Sequence, residues 1–146
     1  MRGFNRTLTI DAPPTEVFGV LTDLARAPQW MPAIQSTRWV VGDKVAPGAQ
    51  WEEVRRNGKR SVRADIKVVR FVKDRTLNLR VDARPFGMDL GFDLFPVGAA
   101  TKVDYHCHGR GKRLMSFFTR PIMRQVERQD DDLLHRLQAQ VERTRP

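Results

Sequence analysis

Trp51-Glu52-Glu53-Val54-Arg55-Arg56-Asn57-Gly58-Lys59-Arg60-Ser61-Val62-Arg63-Ala64-Asp65-Ile66-Lys67-Val68 is the stretch that decides the architecture. Its arms, Trp51–Val54 and Ser61–Val68, flank Asn57-Gly58, two residues that tolerate positive φ and so predict a tight β-hairpin with a type I′ turn. Centring the hairpin there pairs Trp51 with Ala64 and Glu53 with Val62. Working outward, strand signals run from about Ile34 to Gly111, with further turns at Lys73-Asp74, Pro85-Phe86-Gly87 and Val97-Gly98-Ala99-Ala100. Residues opposed across antiparallel strands must face the same side of a sheet. The second turn pairs Ile66 with Val81 and Val68 with Leu79. The third pairs Val81 with Leu90 and Leu79 with Phe92, and the last pairs Phe92 with Tyr105 and Leu94 with Val103. Apolar meets apolar throughout, except at Glu53. The hairpins therefore agree on one concave apolar face.

Upstream, Phe4–Ile10 alternates as a first strand, and Asp11-Ala12-Pro13-Pro14 ends it and starts a helix, since proline suits a helix's first turn. Val17, Phe18, Leu21 and Leu24 share one face of that helix. Two prolines in Arg26–Pro32 limit that segment to a short, irregular piece. Downstream, Leu114–Arg143 reads as one long helix that Pro121 kinks or starts. Its apolar stripe is Met123, Val126, Leu133, Leu134, Leu137 and Val141, with Asp130 in the middle and Glu127 on the shoulder. Twenty residues from Pro121 span about 30 Å, enough to cross a sheet. The fold class is thus α+β: a bent antiparallel sheet of about six or seven strands around a long C-terminal α-helix, with two short helices after the first strand. Residues 1–146 are expected to form a single domain, because a chain of this length buries roughly 68–70% of its unfolded surface.

Composition narrows the setting. The hydrophobic fraction is 40%, sufficient for a core. The single cysteine, Cys107, leaves no internal disulfide and fits a reducing compartment. The first residues run into strand alternation without an apolar signal region, and no apolar run approaches the ~20 residues of a membrane span. A cytoplasmic location is the expectation. Net charge is +9 and the isoelectric point near 10.8, which favours contact with polyanions.

The order of elements resembles the SRPBCC superfamily: START-like, birch-pollen-allergen-like and polyketide cyclase/dehydrase-like proteins. The residues that carry the resemblance are Ile10-Asp11-Ala12-Pro13-Pro14-Thr15-Glu16-Val17-Phe18, Leu21 and Asp23, and Pro28-Gln29-Trp30-Met31-Pro32. Pro47-Gly48, Phe92-Asp93-Leu94-Phe95-Pro96, Gly98 and Thr101-Lys102-Val103 come next, with the closing amphipathic helix. The resemblance spans nearly the whole chain. It implies the helix-grip fold with a cavity between helix and sheet, and leaves the ligand open: relatives include aromatase/cyclases, lipid carriers, coenzyme Q-binding proteins and a ribosome-associated toxin.

Asp130 and Glu53 stand where periodicity calls for an apolar inward side chain. A buried carboxylate must be paired, hydrated or neutralised. Each is a polar anchor in an apolar cavity, a general acid or base, or half of an ion pair; Arg55 and Arg60 share Glu53's hairpin face. The ligand-binding set read from the pattern is Trp51, Glu53, Met88, Leu90, Phe92, Tyr105, Met123, Glu127 and Asp130, against ordinary core packing for the apolar members. Asp130, Glu53 and Tyr105 are the catalytic candidates. With a cavity anchor at Asp130, Asp130→Leu would stabilise the fold and weaken ligand binding.

His106 and His108 point outward with Lys102 and Asp104, and two histidines without a third ligand make no metal site. Cys107 points inward with no base beside it. Neither metal nor cofactor is expected. Lys59, Arg63, Lys67, Arg80 and Arg84 fall on the outward sheet face as an anionic-surface contact or as a solvated, aggregation-resistant surface. Leu114-Met115-Ser116-Phe117-Phe118, flanked by Arg110, Lys112, Arg113 and Arg120, reads as a membrane-touching entrance or as the packed first turn of the helix. Three functions remain: binding or transport of a hydrophobic small molecule (lipid, polyketide or quinone-like), a polyketide cyclase/dehydrase-type enzyme using the cavity acids, and a basic interaction module for ribosome, RNA or anionic membrane. Oligomeric state is not legible from the sequence.

Overall fold

Alternation at period two, interrupted by glycine and proline turns, carries the chain through seven strands. They are β1 (Gly3–Ile10), β2 (Ile34–Val41), β3 (Gln50–Asn57), β4 (Arg60–Val72), β5 (Thr76–Ala83), β6 (Phe86–Val97) and β7 (Ala100–Arg110). The structure, a computed structural model, describes residues 3–84, 86–110 and 116–145. All strands pair antiparallel in the order β1-β7-β6-β5-β4-β3-β2. Between β1 and β2 lie α1 (Pro14–Leu21) and a 3₁₀ helix (Leu24–Gln29), which contains Pro28. The meander is closed by two helices, α2 (Ser116–Gln129) and α3 (Leu133–Thr144). None of the described helices is long and apolar enough to cross a membrane.

One face of the sheet is dry. Trp51, Ala64, Ile66, Val68, Leu77, Val81, Phe92, Leu94, Val103, Tyr105 and Cys107 are all buried on it. Leu133, Leu134, Leu137 and Val141 of α3 complete this core, with Val17 and Phe18 of α1. Phe18 meets Phe71 edge to face at 5.3 Å. Two buried polar side chains fix the packing: Thr101 Oγ1 donates to the Ala12 carbonyl at 2.7 Å, and Gln140 Nε2 donates to Gln29 Oε1 at 2.7 Å.

The expected pairings at the second and fourth turns are found: Ile66 opposes Val81, Val68 opposes Leu79, Phe92 opposes Tyr105 and Leu94 opposes Val103. The other two hairpins are shifted by two residues. Trp51 opposes Ile66 and Glu53 opposes Ala64, because the turn is Gly58-Lys59 rather than Asn57-Gly58. Gly58 alone has positive φ there, +64°, as a type II′ turn with glycine first requires. Likewise Val81 opposes Met88, Leu79 opposes Leu90 and Leu77 opposes Phe92. A shift of two preserves side-chain parity, so every residue keeps its face.

The terminal helix is a second correction: it is two helices, broken at Asp130-Asp131-Asp132. Aspartate is a poor helix former, and a run of anions at a helix C-terminus opposes the macrodipole. Pro121 lies inside α2 and does not end it. The apolar segment 114–118 lies outside the described side chains.

The helix halves have different duties. α3 is packed against α1 and β1, whereas the described side chains of α2 reach β7, Arg6 of β1 and the tip of the β3–β4 hairpin. Gln125 and Gln129 donate to Asn57 Oδ1 at 2.5 and 3.3 Å. Met123 lies over Gly109 of β7, where an added Cβ would come within 3.0 Å of its Cγ. Gly109→Ala is therefore expected to cost about 1 kcal/mol in urea denaturation, the low end of overpacking because methionine yields. A variant as stable as the parent would mean that α2 rides loosely over β7.

Candidate functional site

The inward acids each belong to a polar pair, Glu53 with Arg55 on β3 and Asp130 with Tyr105 of β7. Trp51, Glu53 and Arg55 alternate along β3, so parity turns all three inward. Trp51 is buried and meets Trp39 of β2 edge to face at 5.6 Å. Its Nε1 donates to Glu53 Oε1 at 3.2 Å. Glu53 is only 6% exposed, and its Oε2 lies 3.5 Å from Arg55 Nε. That Nε is buried and has no hydrogen-bond partner among the described residues.

Across the interior, Tyr105 of β7 is 1% exposed. Its ring lies 4.9 Å from that of Phe92 and 6.0 Å from that of Phe4. Its hydroxyl donates to Asp130 Oδ2 at 2.6 Å. Asp130 sits at the break between α2 and α3, where the chain turns and aims its carboxylate at the sheet. Burial pushes the Asp130 carboxyl above the usual range, while the Tyr105 hydroxyl, then Arg55 and Arg136, pull it back. Burial likewise raises the Tyr105 phenol well above its ordinary value, with the Asp130 charge adding to it. Arg55 thus serves both acids, Glu53 at contact distance and Asp130 through its field.

The remaining predicted residues divide. Met88 and Phe92 are buried on this wall and Leu90 is half-buried beside them. Met88 Sδ lies 3.7 Å from Cys107 Sγ. Burial pushes the Cys107 thiol up to about 12, which leaves it protonated and inert at neutral pH. Met123 is buried beneath α2. Glu127 stands on the flank of α2, paired with Arg6 of β1 at 3.1 Å and a third exposed, so it belongs to the rim and not to the interior wall. Sequence reasoning gave Arg55 only as a partner for Glu53 and missed Arg6. The signal for Arg55 was present, since it continues the inward series Trp51, Glu53.

On the outward face, the five predicted cations do not form a uniform basic field. Arg63 shares Glu52 with Arg38, and Arg80 pairs with Asp89 at 3.3 Å. Asp65 opposes Asp82 next to the Lys67–Arg80 pair. The Arg63 bond, then the Arg38 bond, hold the Glu52 carboxyl below its usual range. His106 and His108 are half-buried and exposed, respectively, their rings 5.5 Å apart.

Clefts open on the described surface outside the interior wall. One of 210 Å³ lies between α1, the 3₁₀ helix and α3, beside Glu16, Asp23, Trp30, Gln140 and Arg145. Another, of 250 Å³, is lined by Arg6, Arg124, Glu127, Arg128 and Asp131.

The profile of the family described as polyketide cyclase / dehydrase and lipid transport matches residues 1–142. No curated protein matches the chain by sequence. Among solved structures, TTHA0849 from Thermus thermophilus superposes with a TM-score of 0.80 at 15% identity, covering 99% of this chain and 100% of its own. A START superfamily protein from Mycobacterium smegmatis gives 0.77 at 15% identity, covering 98% and 99%. The Zhui aromatase/cyclase from Streptomyces sp. R1128 gives 0.77 at 15% identity, covering 97% and 94%. At that identity the likeness shows the fold, a helix-grip sheet closed by a C-terminal helix.

Proposed function

The chain belongs to the polyketide cyclase / dehydrase and lipid transport family, and we propose that it binds a hydrophobic small molecule, a lipid, polyketide or quinone-like compound, between the concave sheet face and α2. The observation that carries this reading is two polar pairs on an otherwise apolar wall, Glu53 with Arg55 on β3 and Tyr105 with Asp130, joined by the field of Arg55 on Asp130. A core that served packing alone gains little from two buried acids, since burying a charge costs more than a hydrophobic residue of similar volume. A binding site uses such groups to orient the polar end of an apolar guest. Arg55 Nε is the donor left for that end. Trp51, Met88, Leu90, Phe92 and Met123 face its apolar body. The same reading takes α2 as the element that opens for entry, supported by the Asp130–Asp132 break that joins it to α3.

A cyclase or dehydratase is the second reading, supported by the Asp130 carboxyl. Burial raises its pKa above the usual carboxylate range, the direction a general acid or base requires. Native mass spectrometry of gently purified protein tests the first reading. A stoichiometric hydrophobic adduct is expected, lost on organic extraction and regained with a long-chain fatty acid or aromatic polyketide, with a melting-temperature rise of a few degrees. A bare mass and no melting shift with either class would refute it. Turnover of a polyketide chain that Asp130→Asn abolishes would select the second reading.

A further inference from the structure

We propose that the outer face of α2, together with the tip of the β3–β4 hairpin tied to it, docks onto anionic lipid bilayers. Arg120, Arg124 and Arg128 are spaced four apart, so they form one line about 12 Å long on the helix. All three are exposed. Buried Met123 lies about 100° round the helix from the middle of that line. The flanks are Gln125 and Gln129, bonded to Asn57, and Glu127, bonded to Arg6. That leaves the arginine line facing solvent.

No acid answers it. Arg6 takes Glu127 and Asp131, and Arg136 takes Asp132. Among the described residues none of the three arginines has an ion-pair partner. The hairpin tip, fastened through Asn57, adds Arg56, Lys59 and Arg60, all exposed. Lys59 therefore belongs to this rim, apart from the charge-interleaved sheet face. At the far end of the line, Arg124 and Arg128 border the 250 Å³ cleft, large enough for a phosphate headgroup, whose two acids are already held by Arg6.

Apolar groups accompany the charge. Ile122, on the flank of Gln125 and Gln129 next to the hairpin tip and away from the arginine line, is 38% exposed, and Val62, on the inward parity of β4 beside the tip, is 37% exposed. The hairpin-tip cations beside exposed aliphatic side chains suit a bilayer interface, where the charges meet anionic headgroups and the aliphatic groups enter the acyl boundary. Single-stranded nucleic acid would instead reward exposed aromatic rings, and none of the described rim residues supplies one. The inference stands on surface charge and is independent of what fills the interior.

Vesicle flotation tests it, using phosphatidylcholine with and without one-fifth phosphatidylserine. The parent is expected to bind only the anionic vesicles and to be released in 1 M salt, where the screening length is about 3 Å. Arg124→Glu with Arg128→Glu should weaken binding by at least about thirtyfold, at roughly tenfold per 1.4 kcal/mol and 1 kcal/mol per basic residue at the surface. Ile122→Asp should weaken it severalfold. Lys67→Glu with Arg84→Glu, the same charge change on the sheet, should leave it intact, and unchanged melting curves exclude misfolding. Four results would overturn the proposal: equal binding to pure phosphatidylcholine, no effect of the arginine pair, equal loss from both pairs, or tighter binding of single-stranded RNA through the same arginines.

Discussion

Tyr105→Phe is expected to cost about 2–3 kcal/mol at pH 8 and distinctly less at pH 5. The substitution removes one oxygen and leaves the ring, with its contacts to Phe92 and Phe4, in place. What it strands is Asp130, whose carboxylate accepts the Tyr105 hydroxyl at 2.6 Å. An orphaned buried acceptor costs about 1–3 kcal/mol, and more when charged. In the parent, burial raises the Asp130 pKa and the Tyr105 bond is the strongest influence lowering it, ahead of Arg55 and Arg136; Asp132 adds to the rise. Without the hydroxyl the carboxyl rises further. An acid whose folded pKa exceeds its unfolded one holds more protons in the folded state between the two values. Stability therefore falls as pH climbs through the folded pKa and returns as pH drops toward the unfolded value near 3.9. The penalty of Tyr105→Phe is accordingly larger at pH 8 than at pH 5. Asp130→Asn is the control: it keeps an acceptor for Tyr105 and removes the titration, so its stability should vary less between pH 5 and pH 8. Urea denaturation of both single variants and the double variant measures all of this. A Tyr105→Phe loss identical at the two pH values would end the account. The same bond reverses the sequence-based expectation for Asp130→Leu, since leucine would leave the Tyr105 hydroxyl buried without an acceptor.

The face of each strand was legible because parity survives error. Placing the first hairpin on Asn57-Gly58 misjudged the turn, yet the two-residue slip moved Glu53 from Val62 to Ala64 without turning it outward. Register within that parity was not legible, because types I′ and II′ both accept an Asn-Gly-Lys stretch. The slip has a consequence for the site: Asn57, freed from the turn's centre, becomes the acceptor that anchors α2. The helix break was hidden by the apolar stripe, which continues through Met123, Val126 and Leu133 as though the helix did. Three consecutive aspartates were the signal against continuity. Asp130 is an acid on the inner side, yet it sits at a corner and points at Tyr105 instead of belonging to a continuous helix face. Glu127 shows the limit of a helical wheel, which places a residue on a shoulder but cannot say that Arg6 of β1 draws it to the rim.

Arg55→Met is expected to remove about 3 kcal/mol of stability, and Glu53→Gln to give most of it back. Methionine keeps an apolar stem of similar length and deletes the charged guanidinium, whose Nη2 lies 3.8 Å from Met31 Sδ. Glu53, 6% exposed, is then left with the Trp51 indole N–H as its one donor. Breaking a buried pair from one side costs about 3–5 kcal/mol, since the stranded charge has no solvent; Arg55 is 33% exposed, which brings the loss to the lower end. Asp130 loses the same cation's field. In a Glu53→Gln background the amide oxygen still accepts from Trp51 and no charge is stranded, so Arg55→Met should cost only about 1 kcal/mol, a coupling of about 2 kcal/mol across the cycle. Additive losses would show that Glu53 and Arg55 act separately and that the 3.5 Å approach carries no energy. The ligand arm discriminates further. If Arg55 Nε meets the guest's polar end, Arg55→Met weakens binding about tenfold or more in both backgrounds, even where Glu53→Gln has restored the fold. If Arg55 merely neutralises the acids, binding recovers together with stability.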